Sequence, residues 1–311
     1  MDITQMVRVA RMYYEFGYKQ EEIAAKEGVS RASISRILDK AYKEGIVQIK
    51  VVYPLQPVRD LEESLIKQFN LKKAFVVPVF IDHPEAVRND LGMAVADFLN
   101  EIVSDREILG VSWGTTLPFV TQHLKKCSKQ QINIVQLNGG VAKSYLATQS
   151  GAIVDGFVQA FNANPYMLPV PAIVDTKELA SAIAADSNVK QTLDLARKAR
   201  IALFGIGRAG HDSILVKSGY FRDGEYETLL EKGAVGDICS RYFKIDGSIA
   251  DNELYYRTVG IALEELADKE YSIAVASGEE KTEAILGALR GGYVNTLFID
   301  EHAARKCLTL L

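Results

Sequence analysis

The stretch "EILGVSWGTTLPF", Glu107–Phe119, is where the fold of this chain is decided. Its first half is a short unbroken apolar run, Ile108, Leu109 and Val111 around Gly110, the composition of a strand covered on both faces. Its second half breaks at Gly114 and restarts as a helix, predicted over 116–126. Gly114 lets the main chain approach a ligand. Thr115 and Thr116 are placed to cap the helix, and the first amides of that helix favour an anion. A phosphate suits such a corner.

Runs of the same kind recur at 73–80, 132–140, 201–207, 234–243, 272–278 and 296–301. They alternate with helical spacing at 61–71, 85–103, 147–161, 177–184, 188–198, 225–231, 258–268 and 281–289. Short apolar strands between helices predict an α/β body with a mostly parallel, covered sheet. In such sheets ligands collect at the carboxyl ends of the strands. Several of these ends carry glycine turns: "NGG" (Asn138, Gly139, Gly140), "GIG" (Gly205–Gly207), Gly236 with Asp237, and "SGEEK" (Ser277–Lys281). One such turn is a plain connection, but five on one rim form a pocket. It offers an anion cradle from Gly114, Thr115 and Thr116, a cation from Lys281, and hydroxyl partners from Gln136, Asn138 and Asp237. That chemistry describes a phosphorylated sugar or polyol. The chain has neither GxGxxG nor GxxxxGK[ST], so NAD and ATP find no support and no cofactor is expected.

The first fifty residues read differently. Ile3, Met6, Val7, Ala10, Tyr13 and Tyr14 make one helical stripe ended by Gly17. "QEEIAAKE" repeats the pattern up to Gly28, and Ser30 is a fair cap for a third helix. Val29, Ile34, Ile37 and Leu38 supply a core. Arg31, Ala32, Ser33, Ser35 and Arg36 then face outward, two guanidinium forks among short side chains, a set that suits a DNA major groove. The alternative is a solvated helical hairpin. "EGIVQIKVVYP", Glu44–Pro54, reads as a turn and a strand, the wing of a winged helix-turn-helix, with Lys40, Lys43 and Lys50 as phosphate contacts or ordinary surface lysines. Two prolines in "YPLQPVRD" mark a linker over 54–60. The expected organisation is therefore a DNA-binding domain at 1–53 and an effector domain at 61–311.

Charge agrees with that division: residues 1–53 hold nine Lys/Arg against seven Asp/Glu, while the whole chain carries a net −4. A polyanion partner is expected at the N-terminal end. Cys127, Cys239 and Cys307 are too widely spaced for a CxxC site, which points to a reducing cytoplasm and to no metal. No segment reaches the roughly 18 apolar residues of a membrane span. Catalytic groups are thin. His83, His123, His211 and His302 are scattered, Ser112 has no evident partner, and Asp237, Asp246 and Glu279 could each act on a sugar or simply hold a turn. Binding without catalysis is the simpler expectation; a sugar-phosphate isomerase or deaminase is the alternative.

The chain resembles the SorC family of sugar-responsive transcriptional regulators, and is similar to its deoxyribonucleoside-regulator branch. The match runs from "YYEFGYKQEEIAAKEGVSRASISRILDKAYKEGIVQIKV" through "GVSWGTT", "IVQLNGG" and "AVGDI" to "ALRGGYVNTLFID". The resemblance implies an effector domain related to sugar-phosphate isomerases and glucosamine-phosphate deaminases, used for sensing, in a tetramer; symmetric pairs of heads then call for a palindromic operator, whose affinity shifts when the effector binds. It implies that Gly114, Thr115 and Thr116 hold the phosphate while Asn138, Gly139, Gly140, Asp237 and Lys281 line the rest. "ASGEEK" departs from the family pattern, since Ser277 stands where a glycine is usual.

Overall fold

The computed structural model describes residues 2–48, 56–140 and 149–310. The chain divides into two compact units, Met1–Pro54 and Leu55–Leu311.

The smaller unit holds α1 (Ile3–Tyr14), α2 (Gln20–Glu27) and α3 (Arg31–Lys43). Asp2 caps α1 by accepting from the Thr4 amide. α2 stops at Gly28, whose φ of 68° is the left-handed geometry that glycine adopts without strain. Ser30 caps α3, its hydroxyl accepting from the Ser33 amide at 3.2 Å. Met6, Val9 and Ala10 of α1 pack on Ile23 and Ala24 of α2 and on Ile34, Ile37, Leu38 and Ala41 of α3. The apolar stripe expected on α1 is narrower than its sequence spacing: Ile3, Val7, Tyr13 and Tyr14 are exposed. The eight-residue α2 gives α1 only a narrow face to pack against. Arg8 pairs with Glu27 through two bonds of 2.7 Å, tying α1 to α2. Of the expected wing, residues 44–48 form turns and no strand; the remainder, Lys50 included, lies outside the described residues.

The stretch expected as a linker over 54–60 is helical from Gln56, within α4 (Gln56–Phe69). Pro57 falls in the first turn, where no intrahelical N–H is lost, so proline does not mark a break here. Beyond it stands a seven-stranded sheet of β1 (Lys73–Val77), β2 (Ile108–Val111), β3 (Asn133–Gln136), β4 (Asn164–Tyr166), β5 (Ile201–Gly205), β9 (Tyr271–Ala276) and β10 (Thr296–Asp300). Its order is β1-β10-β9-β5-β2-β3-β4. Every pairing in it is parallel. Helices cover both faces, as a parallel sheet requires. One core gathers α4 with the helices Thr282–Arg290 and Glu301–Thr309. The other gathers α5 (Pro84–Ile102), α6 (Leu117–His123) and the helix Ser150–Phe161.

Two expectations are corrected. The run 234–243 is a hairpin, β7 (Ala234–Ile238) and β8 (Arg241–Lys244), which joins β6 (Gly207–Arg208) in a small antiparallel sheet. Its two-residue turn, Cys239 and Ser240, has φ of 52° and 68°. Positive φ at both positions suits a tight hairpin, but glycine or asparagine normally signals it, and neither is present. The helix expected over 258–268 forms only at Leu263–Ala267. Arg241 explains the difference, because its buried guanidinium donates to the carbonyls of Tyr255 (2.5 Å), Thr258 (3.2 Å), Gly260 (2.9 Å) and Ile261 (2.7 Å). Carbonyls turned toward one side chain cannot also serve a helix.

Candidate ligand site

Four strand ends of the large sheet meet over one cavity of about 540 Å³. β2 sends Ser112 to Leu117 into its wall, β3 sends Asn138, β5 sends Gly205 to Arg208, and the segment after β9 sends Glu280 and Lys281. The hairpin turn adds Asp237, Cys239 and Ser240. In the strand order β5 and β2 lie side by side at the centre while the chain winds outward on both sides. A crevice opens at such a point in any doubly wound sheet.

Gly114 has φ of 154° and open space where a side chain would stand, so glycine serves the backbone there and leaves the corner clear. Thr115 and Thr116 both line the cavity. Neither behaves as the expected cap: Thr116 occupies the N-cap position of α6 with helical torsions and makes no side-chain capping bond. Of the first amides of α6, that of Phe119 donates to the Thr116 carbonyl at 3.1 Å, and Pro118 has no N–H to give.

Asn138 is buried, and its amide is held at both ends, accepting from the Ser112 hydroxyl at 2.9 Å and donating to the Ser240 hydroxyl at 3.1 Å. Gly139 and Gly140 are not in the cavity wall. A Cβ on Gly139 would lie 2.4 Å from the Pro171 carbonyl oxygen, and one on Gly140 would lie 2.5 Å from Ser150 Oγ. They are glycines for packing. Gln136 is also turned away from any ligand, since it donates to the Asn138 carbonyl (2.8 Å) and accepts from the Leu168 amide (3.1 Å).

Asp237 accepts from the Ser240 amide at 3.1 Å. Burial pushes its carboxyl up to about 6, against the pull of that bond and of the Lys281 ammonium. Gly207 is what admits it, because a Cβ there would fall 2.1 Å from Asp237 Oδ1. Lys281 does reach the cavity. Burial lowers its pKa, and the like charges of Arg88 and Arg208 act in the same direction, while Glu280 and Asp237 oppose them. Asp300 fixes the preceding turn by accepting from the Gly278 amide at 2.7 Å. Ser277 lines a second, smaller cavity of about 330 Å³, which shares Arg88, Thr115, Thr116, Glu280 and Lys281 with the first.

Sequence reasoning missed Arg88, Ser240 and Arg208, which also line the main cavity. Arg88 comes from α5 rather than from a strand end, so no glycine turn announces it. Of the other candidate acids, Asp246 accepts from Ser248 in a turn, and Glu279, which lines the second cavity, pairs with Lys306 at 3.1 Å. His123 bonds Asn89 at 2.9 Å. Among the described residues no group of three His, Cys, Asp or Glu could hold a metal.

On α3, Arg31, Ala32, Ser35 and Arg36 are exposed, and Ser33 is half-buried with its hydroxyl 2.9 Å from that of Ser30. Arg31 lies 3.4 Å from Glu21, an exposed pairing worth little. Arg36 donates to the Ala32 carbonyl at 3.3 Å.

Residues 53–309 match the family model described as "Putative sugar-binding domain". The deoxyribonucleoside regulator of Bacillus subtilis (strain 168) is 37% identical over 301 residues, covering 96% of this chain and 95% of that one. The full-length sorbitol operon regulator SorC from Klebsiella pneumoniae superposes with a TM-score of 0.81 at 29% identity, over 99% of both chains. The sugar-binding domain of a transcriptional repressor from Vibrio fischeri gives 0.74 at 30% identity over 81% of this chain and 98% of that one. The chain belongs to the family built on this sugar-binding domain, that of the sorbitol operon regulator SorC.

Proposed function

We propose that this protein is a DNA-binding transcriptional regulator of carbohydrate or nucleoside catabolism genes, with operator affinity controlled by a phosphorylated sugar. One observation carries the reading. A chain alike to SorC along its whole length pairs an exposed arginine-bearing helix with a cavity walled by Arg88, Arg208, Lys217 and Lys281. The phosphoryl group lies against Gly114, Thr115 and Thr116 at the start of α6 with Lys281 as its cation, and the sugar hydroxyls meet Asn138 and Asp237. Arg31, Ala32, Ser33, Ser35 and Arg36 read or hold the operator. Paired heads in a cytoplasmic tetramer call for a palindromic site with half-sites a whole number of turns apart.

The ligand shifts operator affinity only to the extent that it favours one arrangement of the protein, commonly by about 1–3 kcal/mol, or roughly 5–150-fold. Titrating the full chain onto an operator fragment, with and without a panel of pentose and hexose phosphates, checks this. At least one phosphate ester should change the affinity by that factor while its unphosphorylated sugar does not. A second reading, a sugar-phosphate isomerase, draws on Asp237, whose carboxyl near 6 would suit proton transfer. Turnover of any panel member would favour it over sensing alone.

A further inference from the structure

We infer that Arg88 of α5 is a second cation for the ligand's anionic group, and that with Lys281 it makes the site selective for doubly charged phosphate monoesters. The inference rests on the cradle reading above and adds a residue from α5.

The charged groups around the cavity are unequally satisfied. Arg208 is paired with Asp212 at 2.5 Å. Lys281 has the attraction of Glu280 and Asp237. Arg88 has no ion pair among the described residues, and its Nε is a buried donor with no hydrogen-bond partner. A buried donor left unpaired is costly, more so on a charged group, and such an orphan calls for a missing acceptor. Its position is enforced by packing. Gly92, one turn further along α5, lets that helix press onto α6 so closely that a Cβ would lie 2.6 Å from the Phe119 carbonyl carbon. The Arg88 guanidinium then sits 5.7 Å from the centre of the Phe119 ring. From there it lines both cavities beside Thr115, Thr116 and Lys281. A planar guanidinium that lines the cavity can bind two oxygens of one phosphoryl group, which an ammonium cannot do with the same geometry.

The consequence is selectivity by charge. Two cations flanking one oxyanion favour the dianion over the monoanion, and the second ionisation of a phosphate monoester falls near 6. Ionisation of Asp237 on the cavity wall opposes that gain over the same range, so the comparison that isolates Arg88 is the rise in affinity between about pH 5.5 and 7.5, which should be larger in wild type than in Arg88→Met.

The test uses the full chain, with inorganic phosphate and ribose 5-phosphate as probes, by calorimetric titration and thermal unfolding. Arg88→Met should weaken binding of a probe by about tenfold or more. It should leave the ligand-free protein at least as stable as wild type, because the unpaired donor is gone. A merely structural arginine would lower that stability instead. Arg88→Lys should recover part of the affinity, with the preference for the dianion kept. If Arg88→Met binds a probe as tightly as wild type, the assignment of Arg88 fails and the cradle at Thr115 stands. If wild type binds neither probe, both fail together.

Discussion

Asp237 shows how one residue's surroundings set its chemistry. Its carboxyl titrates near 6 because burial penalises the charged form, so the folded state holds a proton that the unfolded chain, with an ordinary carboxylate near 3.9, has already released. The folded state binds more protons between those values, and stability therefore falls as pH rises from about 4 to 6. Asp237→Asn keeps the acceptor for the Ser240 amide and removes the charge. Its stability relative to wild type should grow across that window, by up to about 3 kcal/mol at pH 7, and chemical denaturation at several pH values measures it. A variant whose advantage is flat from pH 4 to 7 would contradict the burial argument. Asn138 and Lys281 were legible in the sequence because each follows a strand that reads clearly as apolar, whereas Asp237 was legible through the adjacent Gly236 and lies within β7. Gly139 and Gly140 carry the same signal for another reason, contact with Pro171 and Ser150, which only the fold reveals. Arg88 was illegible: it reaches the cavity from the side of a helix, by way of a glycine four residues later.

At the scale of elements, α3 is the clearest case of a sequence that places its own side chains. Ser30 starts it, Ile34, Ile37 and Leu38 bury one side, and Arg31, Ser35 and Arg36 are left outside. Replacing Arg31 and Arg36 together with Ala should weaken operator binding and reduce the salt slope of log K by roughly 1 to 2, about 0.9 for each phosphate no longer neutralised. Circular dichroism of the variant should be unchanged, since both residues are exposed. An unaltered slope would move the DNA interface elsewhere. The hairpin of β7 and β8 illustrates the opposite situation. The run AVGDICSRYF reads as one long strand, and the turn at Cys239 and Ser240 lacks the residues that usually mark positive φ. Likewise the segment 258–261 reads as helical until the Arg241 guanidinium, distant in sequence, claims its carbonyls. Local pattern finds elements whose causes are local.

For the whole molecule, the two units each carry their own core, nine buried side chains among the described residues of the smaller and two clusters across the sheet of the larger. A fragment spanning 55–311 should therefore fold alone, keep its affinity for a phosphate probe and lose operator binding. Thermal unfolding of the fragment with and without the probe checks both statements, because a ligand that binds only the folded state raises its apparent stability. The parallel α/β class was readable from strand and helix alternation, but the strand order was not, since nothing in a single strand names its neighbour. That order has a consequence for biosynthesis. β1, at Lys73–Val77, is an edge strand whose sheet neighbour is β10, at Thr296–Asp300. At a translation rate of 5–20 residues per second, a newly made β1 waits on the order of 10 to 40 s for that neighbour to leave the ribosome. The smaller unit, Met1–Pro54, has left the ribosome long before then, so in every round of synthesis it can fold while the large sheet still lacks its last strands.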